Sequence, residues 1–376
     1  MRQYDEGLIA EMRARQRVEE SFGIPVLLKP VPDAPEHTLD PRLVEVIERK
    51  RHMFSSEGGK GFRLSAVRNR PDKVSYEIAS ESALVDERLI DVDGTHMIDV
   101  YVFRALTCEP GCPILVYLHG GGFTAGDVRL FEKQMSLISE LAGAVVVFPE
   151  YRLAPECPFP GAIDDAWASV RWAADHAHDY GARGDALALA GDSAGGSLAC
   201  ACVQRDIARH GTCEIARRLV LTYAAVDKGD YLKQDAYAWS WDAYDVVEGQ
   251  RDLVRSRIER IKGGVDRERA GETSLYLQGK TTERDPLVSA VYAPDGVLEH
   301  FPRTVVATSE YDYLRLGGEY FASLLASHGV DVTLMRYLGC DHGFFDLLGV
   351  LPQAEELCLT IAEELRGLVG EVSCRE

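Results

Sequence analysis

Apolar positions change their rhythm near residue 85, and the change divides the chain. Ahead of it, Leu8, Ile9, Met12, Val18 and Phe22 fall among charges at roughly helical spacing over residues 5 to 22. A second helix is predicted from Pro41 to Met53, with Asp40 as N-cap and proline at the first helical position. The intervening PVLLKPVPDAPEH carries prolines that rule out one continuous helix. Two helices before any strand read as an accessory segment rather than the start of a sheet.

Beyond residue 85 the period shortens. Glu87 to Val92, the turn Asp93-Gly94, and Met97 to Arg104 predict a hairpin. Short apolar runs then follow at Ile114–Leu118, Ala144–Phe148, Leu187–Ala190, Leu219–Tyr223, Thr304–Thr308 and Val332–Tyr337. Helical stretches, among them Asp164 to His176 and Gly318 to Ser327, lie between them. Such alternation predicts an α/β fold, with a mostly parallel central sheet flanked by helices on both faces. The interval from Lys228 to about Lys280 breaks the pattern: it holds Tyr231, Tyr237, Trp239, Trp241 and Tyr244 but no strand-like run. A structureless loop of that length is implausible, so inserted helices are expected there. With the N-terminal helices they would form a cap over the carboxyl edge of the sheet. The aromatics either glue that insertion to the core or line a pocket. The expected organisation is N-terminal cap helices over 1–84, a core over 85–227 and 281–376, and a second part of the cap over 228–280.

Charge narrows the partners. The 376 residues include 60 acidic and 41 basic side chains, a net charge of −19, which disfavours nucleic acid and anionic membranes. The acid excess reads first as a solubilising surface, and second as a preference for neutral or cationic substrates. Nine scattered cysteines, an odd number without paired CxxC spacing, suggest neither a disulfide framework nor a zinc site. MRQYDEGLIAEMRARQ has no apolar h-region, so neither a signal peptide nor a membrane span is expected, and the cytoplasm is the default location.

The chemistry lies in four places. Gly191-Asp192-Ser193-Ala194-Gly195-Gly196 joins a predicted strand to a predicted helix, the setting of a nucleophile elbow. Glycines at 191 and 195 relieve crowding in so tight a turn, leaving Ser193 at its apex. His119-Gly120-Gly121-Gly122-Phe123 follows the first core strand, and such a glycine run is far rarer by chance than GxSxG. Its backbone can approach a carbonyl and aim N–H groups of Gly121 and Gly122 at a developing oxyanion, with Ala194 N–H completing the set. His119 and Gly120 read as support for the loop. A serine hydroxyl needs a base, and His342, just past the last strand, stands where the order Ser, Asp, His places it. The acid should follow the penultimate strand: Asp312 is preferred over its neighbour Glu310 and over Asp285 in Asp285-Pro286-Leu287. Asp341, beside the base, reads as a solvated neighbour.

Together these motifs resemble the hormone-sensitive-lipase-like carboxylesterase family of the α/β-hydrolase superfamily. His119–Phe123 is similar to its HGGGF signature, Gly191–Gly196 to its GDSAGG elbow, and Tyr151-Arg152-Leu153-Ala154-Pro155-Glu156 to its YRLAPE segment. Asp285–Ser289 resembles its DPLVSP stretch, with Ala290 in place of the proline. Where the family usually shows DPLRDEG, this chain has Asp312-Tyr313-Leu314-Arg315-Leu316-Gly317-Gly318, and its usual YP is Tyr223-Ala224. The resemblance implies an α/β-hydrolase fold with a helical cap, a Ser193–Asp312–His342 triad, and cofactor-free hydrolysis of short-acyl esters. It also raises a homodimer by analogy. Two other functions share this fold: an amidase or formamidase with the same machinery, and a non-catalytic ligand receptor, in whose relatives the triad histidine is lost.

Overall fold

A computed structural model describes residues 1–54, 63–69, 74–80, 83–229, 236–268 and 274–373. The strands in chain order are β1 (Arg17–Ser21), β2 (Ile24–Lys29), β3 (Leu84–Val92), β4 (His96–Arg104) and β5 (Cys112–Leu118). They continue as β6 (Val145–Pro149), β7 (Ala182–Asp192), β8 (Ala216–Thr222), β9 (Arg303–Tyr311) and β10 (Val332–Asp341). The helices are α1 (Gly7–Ala14), α2 (Pro41–Phe54), α3 (Leu64–Arg68), α4 (Glu132–Ala142) and α5 (Gly161–His176). After them come α6 (Ala194–His210), α7 (Arg251–Glu268), α8 (Asp295–Leu298), α9 (Arg315–Ser327) and α10 (Pro352–Ser373).

Among the described residues the ten strands form one sheet in the order β1-β2-β10-β9-β8-β7-β5-β6-β4-β3. The central pairs from β6 through β5, β7, β8, β9 and β10 are parallel, and the β3–β4 hairpin adds an antiparallel end through β6. Every residue of β5 is buried, as expected of a strand covered on both faces. Period-two alternation sends Ile114, Val116 and Leu118 into the core under α5 and α6. Leu115 and Tyr117 face the opposite core, where α4 and α10 pack.

Two expectations need correction. Residues 5 to 22 are not one helical stretch: α1 ends at Ala14, and Val18 sits in β1. Phe22 and Gly23 both have positive φ (49° and 76°), the backbone of a two-residue hairpin turn that pairs Ser21 with Ile24. That hairpin adds β2 in parallel to β10 and buries Val26 and Leu28. Covering the open edge of β10 outweighed the helical spacing read in the sequence, and residues 17–29 belong with the sheet rather than a cap. The expected helices of the insertion reduce, among the described residues, to α7 and short 3₁₀ turns. Asp40 does cap α2, its carboxylate accepting the Arg42 N–H at 2.9 Å.

Parallel order puts the carboxyl ends of β5, β7, β8, β9 and β10 on one rim. The expected site residues lie in the loops that leave it or, for Ala194, at the head of α6.

Candidate active site

Ser193 sits directly after β7 with φ 52° and ψ −117°, a conformation that costs a non-glycine residue about 1–3 kcal/mol. Its surroundings hold it there. Ser193 N–H donates to Thr222 O at 2.9 Å, and Ala225 N–H donates to Ser193 O at 3.0 Å. A Cβ on Gly195 would come within 1.9 Å of Leu118 O, so only glycine lets α6 start this close to the end of β5.

His342 follows β10, and its Nε2 lies 3.0 Å from Ser193 Oγ. Its Nδ1 lies 2.7 Å from Asp312 Oδ2, and Asp312 is fully buried. The second Asp312 oxygen accepts Leu314 N–H at 3.0 Å, which fixes the carboxylate plane. The three residues arrive from three strands, β7, β9 and β10, and meet in hydrogen-bond range. Neither other candidate acid points this way. Glu310 accepts Gly339 N–H at 2.7 Å and ties β9 to β10, and burial raises its carboxyl above the usual carboxylate range. Asp285 accepts the Thr281 hydroxyl and Leu287 N–H, closing its own turn.

The glycine loop after β5 faces the same spot. Gly121 has φ 138°, and a Cβ there would lie 1.9 Å from Ala125 O. Gly121 and Gly122 N–H groups make no hydrogen bond within the described residues, and neither does Ala194 N–H at the head of α6. These are donors placed where an anion could be received. His119 is buried and stacks on Tyr151 with centroids 4.2 Å apart. The Tyr151 hydroxyl donates to His119 O at 2.6 Å, which gives the YRLAPE segment its place behind the loop.

Sequence reasoning missed two contacts. Asp192 Oδ1 accepts Gly120 N–H at 2.7 Å and the Tyr117 hydroxyl at 3.0 Å, joining the elbow to the glycine loop. Its place between Gly191 and Ser193 was the available signal. Asp341 is not a solvated neighbour but a buried carboxylate paired with Arg257 of α7 at 2.5 Å. The pair is 84 positions apart, so no local pattern announces it.

A cavity of about 900 Å³ opens over these groups, within the range of ligand pockets. Its floor includes Ser193, His342 and the glycine loop, and its walls come from α2, α3 and α7. The insertion's described aromatics do not line it. Trp239 Nε1–H donates to the Tyr244 hydroxyl, which donates to Asp312 O at 2.9 Å, so the cluster braces the loop of Asp312. Tyr231 lies outside the described residues. Among those residues no cluster of His, Cys, Asp and Glu could hold a metal, and no helix is long and apolar enough to cross a membrane. The eight described cysteines are unbridged.

Glu150, behind the loop, yields a pH prediction. Burial pushes its carboxyl up to about 7, against its accepted hydrogen bond from Val128 N–H at 2.6 Å. The folded chain therefore holds this proton more tightly than the unfolded chain. The associated stability is complete below the ordinary value of 4.5 and is lost as pH rises through about 7. Glu150→Gln should then raise Tm over wild type clearly at pH ~8 and much less at pH ~5. An equal gap at both pH values would contradict the assignment.

This fold and site define the class, and comparison with known proteins agrees. A family model for the α/β-hydrolase fold matches residues 115–346, and the chain belongs to that family. It is a hormone-sensitive-lipase-like carboxylesterase, a carboxylic ester hydrolase. Esterase LipI of Mycobacterium tuberculosis is 30% identical over 322 residues, spanning 85% of this chain and 91% of the relative. Carboxylesterase NlhH of the same species is 28% identical over 321 residues, spanning 85% and 92%. Among solved structures, a hyperthermophilic esterase from Pyrobaculum calidifontis is 26% identical with a TM-score of 0.68, covering 88% of this chain and 99% of its own. An ester hydrolase from the Lake Arreo metagenome, complexed with a bipyridine phosphonate derivative, is 25% identical with a TM-score of 0.73, covering 89% and 100%.

Proposed function

We propose that this carboxylesterase hydrolyses short-acyl esters, acetyl to butyryl, through an acyl-enzyme on Ser193. The observation that carries the reading is the continuous relay from Ser193 Oγ to His342 Nε2 at 3.0 Å and from His342 Nδ1 to Asp312 at 2.7 Å. As the serine attacks, its proton passes to His342, and Asp312 holds the imidazole in the orientation that can accept it. The carbonyl oxygen becomes an oxyanion, which the N–H groups of Gly121, Gly122 and Ala194 receive. His342 then protonates the leaving alcohol, and the acyl group stays on Ser193. In the second half, His342 takes a proton from water as its oxygen attacks the acyl-enzyme; the bond from Ser193 Oγ to the acyl carbon then breaks, His342 returns the proton to Oγ, and the acid leaves. His119, Gly120 and Asp192 support the loop without touching the reacting atoms.

The cavity walls favour a confined acyl site. In this reading α2 and α3 from the N-terminal region and α7 from the insertion form the cap over the rim. The test is hydrolysis of p-nitrophenyl acetate, butyrate and octanoate by the wild-type enzyme. The expected result is kcat/KM for acetate and butyrate at least about tenfold above octanoate, a difference of the size a few methylenes make in a closed pocket. Octanoate turned over as fast as butyrate would remove the short-acyl assignment and leave the esterase itself intact.

A further inference from the structure

Of the helices that wall the cavity, α3 is the shortest, with five residues, and none of its side chains is buried. Segments with few buried apolar contacts open locally at low cost. Yet Ser65, Ala66 and Val67 line the cavity, as does Asn69 just beyond the helix. A wall of this kind needs a fastening other than apolar packing.

Arg68 supplies one. It is not part of the lining, and its side chain reaches across to the loops behind. Its Nε–H donates to Thr124 O at 2.8 Å, and Nη2–H donates to Ala154 O at 3.0 Å. The terminal nitrogens also grip the Glu156 carboxylate as a fork, Nη1 at 2.9 Å from Oε1 and Nη2 at 2.6 Å from Oε2. A bidentate pair of this sort fixes orientation as well as distance. The partners belong to one platform. Thr124 N–H donates to Gly121 O at 3.2 Å and Ala154 N–H to Phe123 O at 2.8 Å, so both carbonyls are tied to the glycine loop. The helix α7 is fastened elsewhere: Arg257 pairs with Asp341, and Arg260 donates to His342 O at 3.4 Å. One wall, α3, is thus anchored to the glycine loop, and another, α7, to the loop of the base.

We propose that Arg68 is a specificity-determining residue, latching α3 in place as the wall that limits the length of the acyl chain. The proposal rests on the short-acyl esterase reading of the same cavity. To protonate the leaving oxygen, His342 has to reach it, so the alcohol lies toward the base and α7. The acyl chain then extends the other way, past the glycine loop and under α3. Releasing the latch lets α3 yield to longer chains, whereas an acetyl group is too short to meet it. Arg68 touches no reacting atom and acts only through the position of α3.

The test compares wild type with Arg68→Gln, Glu156→Gln and the double variant on p-nitrophenyl acetate, butyrate and octanoate. The readout is the ratio of kcat/KM for octanoate over acetate, in which a general loss of folded enzyme cancels. In Arg68→Gln that ratio should rise about three- to tenfold, the scale of a few partly exposed charged hydrogen bonds. Glu156→Gln leaves the two carbonyl bonds and should give a smaller rise. The double variant should match Arg68→Gln alone, because the fork is already gone. Turnover of acetate should stay close to wild type, and so should the ratio of hexyl to ethyl butyrate, which varies the alcohol instead. An unchanged octanoate-over-acetate ratio in Arg68→Gln would overturn the proposal. So would a uniform loss at all three acyl lengths, or a shift confined to the alcohol pair. Each of these leaves the wild-type preference standing. A wild type that turns over octanoate as fast as butyrate strikes the short-acyl reading itself, and the latch with it.

Discussion

Replacing Ser193 with alanine should lower kcat toward p-nitrophenyl butyrate by about 10⁵- to 10⁶-fold while leaving the fold intact. Only the hydroxyl is removed, and the backbone bonds that hold the elbow, from Ser193 N–H to Thr222 O and from Ala225 N–H to Ser193 O, persist. The large figure follows from the way the relay works: without a nucleophile, base and acid have nothing to activate. For the same reason the double variant Ser193→Ala/His342→Ala should be scarcely slower than Ser193→Ala alone. A fluorophosphonate probe provides a second reading independent of rate. It should add its mass to wild type and not to the alanine variant. Equal turnover by both proteins, or labelling that persists in the variant, would mean that another residue is the nucleophile.

Asp312→Asn is the more discriminating change. Asparagine is nearly the same size and can keep the bond from Leu314 N–H, so packing in the fully buried site need not change. What changes is the partner of His342 Nδ1, now 2.7 Å from a carboxylate oxygen. An amide facing the ring can hold the wrong tautomer, with no lone pair presented to Ser193, and supplies no charge for the imidazolium. The expected loss is about 10³- to 10⁴-fold in kcat with little change in KM. Glu310→Gln offers the contrast. Its carboxylate serves Gly339 N–H, so that variant should lose stability rather than chemistry. The reverse pattern, with Glu310→Gln slow and Asp312→Asn fast, would move the acid to position 310.

That contrast also marks how far the sequence could be read. The nucleophile elbow and the glycine loop were legible because both are local: a tight turn and a close backbone approach demand glycines at fixed offsets. His342 and Asp312 were legible only through chain order, since each follows a strand whose apolar run shows in the sequence. Choosing Asp312 over Glu310 needed a direction as well as a position. Glu310 is still within β9 and bonds sideways to β10, whereas Asp312 lies past the strand end. Other features left no local trace. The strand pairing of β2 with β10 joins residues near opposite ends of the chain, while Val18 and Phe22 fall at helical spacing. The pairing of Arg257 with Asp341 arises from which faces the fold brings together.

The side chain of Asp192 gives the site a shared origin of coordinates. Through one oxygen it is bonded to the first glycine N–H of a loop 72 positions away, while its own backbone leads straight into Ser193. In the proposed mechanism the attacking oxygen leaves from β7 and the oxyanion donors from β5, so their separation depends on how these two strand ends are joined. With both tied to the same carboxylate, any displacement that changes their separation has to stretch this hydrogen bond. In that mechanism one carboxylate serves as the common datum for nucleophile and oxyanion donors.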